Sequence, residues 1–261
     1  MILSLTFEQW ILGFSLVMPR FLAAFSLLPY FSRQMIPGLL RFGIAASLCI
    51  VLVPPVAQRA GEVANDPPRL FLTILKETIL GVLIGFLLAS LYWAAEGIGA
   101  YIDNQRGSAM ASSANPLTGA ESTSLGILFT QAFTVYLMTT GAFVLLLGAF
   151  YNTYVLWPVL DFVPSLGSNG PGIILDTFDR MFRMIVVLSA PLIVAMFLAE
   201  FALALVSRFV PQINVFFLAM PIKSALAILM LVFYVQILFG ELITFEGGFD
   251  RVWQSVGELL R

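Results

Sequence analysis

The sequence contains no histidine and a single cysteine, and only 11% of its residues are Asp, Glu, Lys or Arg. Without histidine there is no ordinary neutral-pH general base, no Ser-His-Asp or Cys-His constellation and no imidazole metal site. A lone Cys49 excludes an internal disulfide. It lies in an apolar run, where a free thiol behaves as a small buried hydrophobe. Soluble domains carry about 25% charged residues, so this chain cannot coat a water-facing surface. Its formal net charge of −2 offers no basic face to a nucleic-acid backbone. Soluble globular proteins, disordered chains and nucleic-acid binders are therefore excluded. Met1 to Pro19 hold no Lys or Arg, so the basic start of a signal peptide is missing and the first apolar segment is expected to be retained.

What remains is apolar: 60% of the 261 residues are hydrophobic, with a mean hydropathy of +0.97. Six runs carry this content. They cover 10–28, interrupted at Pro19-Arg20; 42–53, stopped by Pro54-Pro55; 70–95, with Lys76 and Glu77 just inside its start; 125–157, ended by Pro158; 181–206, containing Pro191 and Glu200; and 215–243, containing Pro221 and Lys223. The runs are long, rich in Leu and Ala, and lack the alternation of a membrane β-barrel, which predicts an all-α chain. The second is shorter than the roughly 20 residues that cross a hydrocarbon core. If every run spans, Arg33, Arg41, Arg106 and Arg208 fall on one side, and Arg59, Arg69, Arg180, Arg183, Arg251 and Arg261 on the other. That bias is modest for an orientation rule. With charges and prolines inside the runs, a plain six-span bundle fits poorly.

Two connections stand out. Residues 158–171 read as a plain loop by their Pro, Gly and Asn content, and Asp176 with Asp179 then resembles a capping start for the next helix. Residues 103–124 form a small, polar connection too long to be an ordinary loop. It reads either as a solvated loop or as an element lining an aqueous path. Arg20, Glu96, Glu200, Arg208, Lys223 and Glu241 are ionisable groups within or beside apolar runs. Such groups usually face a bundle interior or a water-filled cavity. Lys223 follows Pro221, whose missing N–H frees a carbonyl. It can satisfy that carbonyl, pair with a carboxylate, or snorkel to an interface. Gly81, Gly85 and Ala89 form a stripe that lets two helices approach closely.

Several stretches carry a family resemblance. Ile102-Asp103-Asn104-Gln105-Arg106-Gly107-Ser108-Ala109-Met110-Ala111-Ser112 resembles the central signature of the T subunit of the bacterial type III secretion export apparatus, whose flagellar counterpart is FliR. So do Ser189 to Phe201, Ser207 to Pro211, and Leu218-Ala219-Met220-Pro221-Ile222-Lys223-Ser224-Ala225. Pro29 to Arg41, the Lys76-Glu77 start and the Trp157-Pro158 stop match as well. The resemblance runs to about Phe239 and is nearer the virulence injectisome branch than the flagellar one.

The resemblance implies an all-α, multi-pass integral membrane protein of stacked helical hairpins. An R-type unit over 1–178 would be followed by an S-type hairpin over 179–245 and a tail over 246–261. The S-type elements would be Ala190-Pro191-Leu192-Ile193, Pro211-Gln212-Ile213-Asn214 and Pro221-Ile222-Lys223. It implies one T copy assembled with five R and four S subunits in the inner membrane, within the base of the secretion system. The U subunit would pack on the cytoplasmic side, and unfolded substrates would pass through the lumen. The 103–124 connection would be a plug in that lumen, built on Asp103, Asn104, Gln105, Arg106, Gly107, Ser108, Met110, Asn115, Pro116 and Gly119. Glu200, Arg208, Pro211, Gln212, Pro221 and Lys223 would make hairpin or subunit contacts, each charge having a partner in this chain or across an interface. No cofactor, metal or catalytic residue is implied. The competing readings are a secondary transporter for a small solute, with a midplane site of broken helices, and an intramembrane enzyme, for which no serine elbow or carboxylate cluster is present.

Overall fold

A computed structural model describes residues 6–31, 36–64, 66–107, 123–161, 170–209, 215–244, 254, 255 and 257. The described residues form helices and contain no strand. These are α1 (Phe7–Leu27), a 3-10 turn (Pro29–Phe31), α2 (Gly38–Cys49), α3 (Val53–Arg59), α4 (Gly61–Ala64), α5 (Pro67–Arg106), α6 (Ser124–Thr139), α7 (Ala142–Leu156), α8 (Gly170–Ser207) and α9 (Val215–Thr244). Four of them, α1, α5, α8 and α9, are long and apolar enough to cross a membrane. Two pairs, α2 with α3 and α6 with α7, are long and apolar enough only when taken together, and they are bent by 74° and 82°. The chain is an all-α, multi-pass membrane protein.

The chain divides into two compact units. The first is Met1–Ser90, Thr140–Thr177 and Asp250–Arg261; the second is Leu91–Thr139 and Phe178–Phe249. In the first unit, α1 starts at a capping box: Gln9 N–H donates to Thr6 Oγ1 and Thr6 N–H to Gln9 Oε1. The helix runs unbroken past Pro19, so the interruption expected at Pro19-Arg20 is absent. Pro54 and Pro55 do not simply stop a run. They occupy the first turn of α3, where a missing N–H costs nothing, after a 74° bend from α2. The glycine stripe of α5 is used inside this unit. A Cβ on Gly81 would strike the Arg20 carbonyl, and one on Gly85 would lie 2.7 Å from Ala24 Cα. Around this contact Phe21 packs on Phe150 with ring centroids 4.5 Å apart, and Phe25 stacks on Phe31 at 4.2 Å.

The second unit is built from the rest of α5, α6, most of α8, and α9. Phe239 of α9 meets Phe129, Phe133 and Tyr136 of α6, and Tyr92 of α5 meets Phe133. The helix α8 begins at Gly170 rather than at Asp176, with Pro171 in its first turn. Asp176 and Asp179 are therefore inside the helix, which corrects the expected cap. Asp179 accepts from Arg183 at 2.8 Å, an exposed i,i+4 pair. The expected single run over 125–157 ends at Thr139, because Gly141 takes φ +75° and opens α7.

Candidate functional site

Three polar clusters among the described residues bear on function. The first sits at the foot of the 103–124 connection. Asp103, fully buried in the last turn of α5, accepts the backbone N–H of Leu125 through Oδ2 at 2.8 Å. Leu125 lies in the first turn of α6, whose N–H groups have no helical acceptor. The other oxygen, Oδ1, pairs with Arg106 Nη2 at 2.6 Å. Gly107 follows at φ +86° and donates to the Asn104 carbonyl at 3.1 Å, the left-handed stop that favours glycine. On the other side Thr123 Oγ1 accepts from Gly126 N–H at 3.1 Å and caps α6. One carboxylate thus joins the two helix ends that flank residues 108–122. Asp103, Asn104, Gln105 and Arg106 are the end of a helix rather than the start of the loop. Ser108, Met110, Asn115, Pro116 and Gly119 lie outside the described residues.

The second cluster joins α8 to α9. Lys223 Nζ donates to Glu200 Oε2 at 3.0 Å. The lysine is buried and the carboxylate half-exposed. Of the roles the sequence left open for Lys223, pairing with a carboxylate is the one realised, within this chain. Pro221 lies inside α9. Arg208 stands exposed at the end of α8 and makes no ion pair among the described residues. Pro211 and Gln212 fall outside those residues.

The third cluster is the one that sequence reasoning missed as a unit. Arg20 and Glu77 are both fully buried and paired in a fork: Nε to Oε2 at 2.7 Å and Nη2 to Oε1 at 2.9 Å. The guanidinium also donates to Thr153 Oγ1 at 3.2 Å and the Trp157 carbonyl at 3.1 Å, and it lies 4.1 Å from the Tyr154 ring centroid. Lys76 Nζ meets Glu77 Oε1 at 2.9 Å and donates to the Val159 and Asp161 carbonyls at 2.7 and 3.0 Å. Two cations therefore gather the Trp157 carbonyl at the end of α7 and the Val159 and Asp161 carbonyls of the turn that follows it, and the helix end favours positive charge there. A signal for this was present in the sequence. Glu77, Gly81 and Gly85 recur every four residues, so they share one face of α5. Once the glycines meet Arg20 and Ala24, Glu77 meets the guanidinium.

These features define a class: a multi-pass helical membrane protein whose few charges hold its helices together and clamp a polar connection. Comparison with known proteins narrows the class. Residues 11–245 match the family described as "Bacterial export proteins, family 1". The chain is 46% identical over 228 residues to the Yop proteins translocation protein T of Yersinia pestis, covering 87% of each chain. It is 30% identical to the flagellar biosynthetic protein FliR of Bacillus subtilis, again over 87% of each chain. It is also 30% identical to the secretion system apparatus protein SsaT of Salmonella typhimurium, over 86% of this chain and 87% of that one. The chain belongs to the bacterial export protein family that these relatives share.

Proposed function

We propose that this chain is the structural and gating subunit of a type III export gate in the bacterial inner membrane. It would assemble as one T copy with five R and four S subunits, with the U subunit against its cytoplasmic side, and form the channel for unfolded substrates. Residues 1–178 would act as an R-type unit, 179–245 as an S-type hairpin and 246–261 as a tail. The segment 103–124 would plug the lumen. Glu200, Arg208, Pro211, Gln212, Pro221 and Lys223 would shape the contacts of the S-type hairpin.

The single observation that carries the gating part is the Asp103 clamp. A buried carboxylate spent on joining the two stems of a polar connection is expected where that connection must be held in place. Helix length supports the assembly part. The helix α5 has 40 residues and α8 has 38. At 1.5 Å per residue each is about 60 Å long, twice the hydrocarbon thickness of roughly 30 Å. Helices of that length, with Phe197, Phe201, Phe217 and Phe233 exposed on α8 and α9, need apolar cover beyond lipid, and sister hairpins supply it. The test is expression of this chain alone and with R- and S-type subunits. The proposal predicts that it purifies stably only with them, in one defined complex. A chain that is stable and monodisperse alone and does not bind them would support the solute-transporter reading instead.

A further inference from the structure

Met220 of α9 has no role in the reading above, yet it covers the point where the polar connection leaves α5. A Cβ built on Gly107 would stand 3.4 Å from Met220 Cε, 3.5 Å from its Cγ and 3.9 Å from its Sδ. Gly107 is the left-handed stop at the end of α5, just beyond Asp103 and Arg106. We propose that Met220 is a positioning residue for the 103–124 segment: it seats the Gly107 stop, so that the placement of α9 decides whether the clamped stem of that segment stays closed. This names a control on the gating role proposed above and rests on that role for its consequence in transport.

All the residues involved belong to the second unit. Met220 and Lys223 are three positions apart and share one face of α9. Met220 meets the end of α5, and Lys223 pairs with Glu200 of α8 at 3.0 Å. One face of α9 therefore bears on both neighbours. Pro221 stands between the two contacts and cannot donate to the Phe217 carbonyl, which removes one rung of the helix ladder. The turn that carries Met220 is thus tied less tightly to the turn that carries Lys223 than an unbroken helix would tie it. Methionine suits a contact at such a joint, because its unbranched side chain adapts to the surface it covers. That surface is bare backbone in a conformation that glycine alone adopts readily. The Gly107 N–H donates to the Asn104 carbonyl at 3.1 Å, and the Asp103 carboxylate in the same turn holds the Leu125 N–H. Cover over Gly107 limits the access of water to the bond that ends α5. Without it the last turn frays, and Asp103 is in that turn.

Amide hydrogen exchange of the purified complex, read at Gly107 and Leu125, tests it. Met220→Ala should speed exchange at both amides about tenfold, the scale of truncating a partly buried methionine. Met220→Leu, which keeps most of the cover, should restore most of the protection. Leu238→Ala empties a fully buried position near the other end of α9 and should leave both amides as in the wild type. Glu200→Gln loosens α9 from α8, so it should speed exchange when Met220 is present and add nothing in Met220→Ala. Unchanged protection in Met220→Ala overturns the proposal. So does an equal effect of Leu238→Ala, which would mark a loss of general stability, and so does a Glu200→Gln effect that simply adds to that of Met220→Ala. These readings do not depend on transport. Faster exchange in Met220→Ala with unchanged ion conductance would therefore uphold the positioning role and count against the plug alone.

Discussion

At the scale of single residues, the clearest energetic statement concerns Arg20 and Glu77. Their fork lies where neither group meets water, so removing one partner strands the other's charge. Such a break costs about 3–5 kcal/mol, while an apolar replacement of both partners is often neutral. Glu77→Leu should therefore sharply lower the yield and melting temperature of the purified complex, and Arg20→Met combined with Glu77→Leu should recover most of the loss. A double variant as damaged as the single one would mean that Lys76 and the carbonyls of 157–161, rather than the pair itself, dominate. Asp103 makes a different kind of contribution, because it satisfies a backbone donor. Asp103→Ala leaves the Leu125 N–H without its acceptor, a loss of about 1–3 kcal/mol. The first turn of α6 should then exchange its amide hydrogens faster. Asp103→Asn, which keeps an acceptor oxygen, should retain more of the protection. Equal protection in wild type and Asp103→Ala would remove the clamp from the account.

At the scale of elements, breaks matter as much as helices. Gly141 opens α7 at φ +75°, and nothing lies within 4 Å of where a Cβ would stand. The cost of a side chain there is thus purely one of backbone conformation, about 1–2 kcal/mol. Gly141→Ala should lower the melting temperature of the complex by a few degrees and Gly141→Asn by less, since asparagine tolerates this region. A null effect would show that the corner relaxes freely. The same break explains which parts of the architecture could be read from sequence. The runs over 10–28 and 215–243 became α1 and α9 with little change, because apolar length alone specifies them. The run over 125–157 concealed a corner because Thr140-Gly141 is apolar enough to vanish in a hydropathy pattern. Pro54-Pro55 reads as a stop by composition, yet α2 already ends at Cys49 and the prolines lie in the first turn of α3. The start of α8 was misplaced because Gly170-Pro171 carries a loop composition and yet suits a first turn. Among site residues, Lys223 and Glu200 were identified singly and their pairing was not. They lie 23 positions apart, and a helical repeat relates only residues a few turns apart. Arg20 and the adjacent Lys76-Glu77 are visible separately in the sequence, and only the glycine stripe that continues the Glu77 face along α5 points to where they meet.

At the scale of the whole molecule, an apolar content that suggests six ordinary spans is distributed over helices too long, too short or too broken for that arrangement. Among the described residues, three ion pairs tie the fold together internally: Arg20–Glu77, Asp103–Arg106 and Lys223–Glu200. Large aromatic surface is left outward on α8 and α9. A protein arranged this way is completed by neighbours, as expected of a bacterial export protein that works inside a larger apparatus. The most direct measurement is ion conductance across membranes carrying the assembled complex, comparing the wild type with a chain shortened between Ser108 and Gly119. The helix ends that Asp103 clamps are untouched by that change, so R and S subunits should still co-purify at wild-type levels while conductance rises. Intact assembly with unchanged conductance would contradict the account, because the segment would then close nothing.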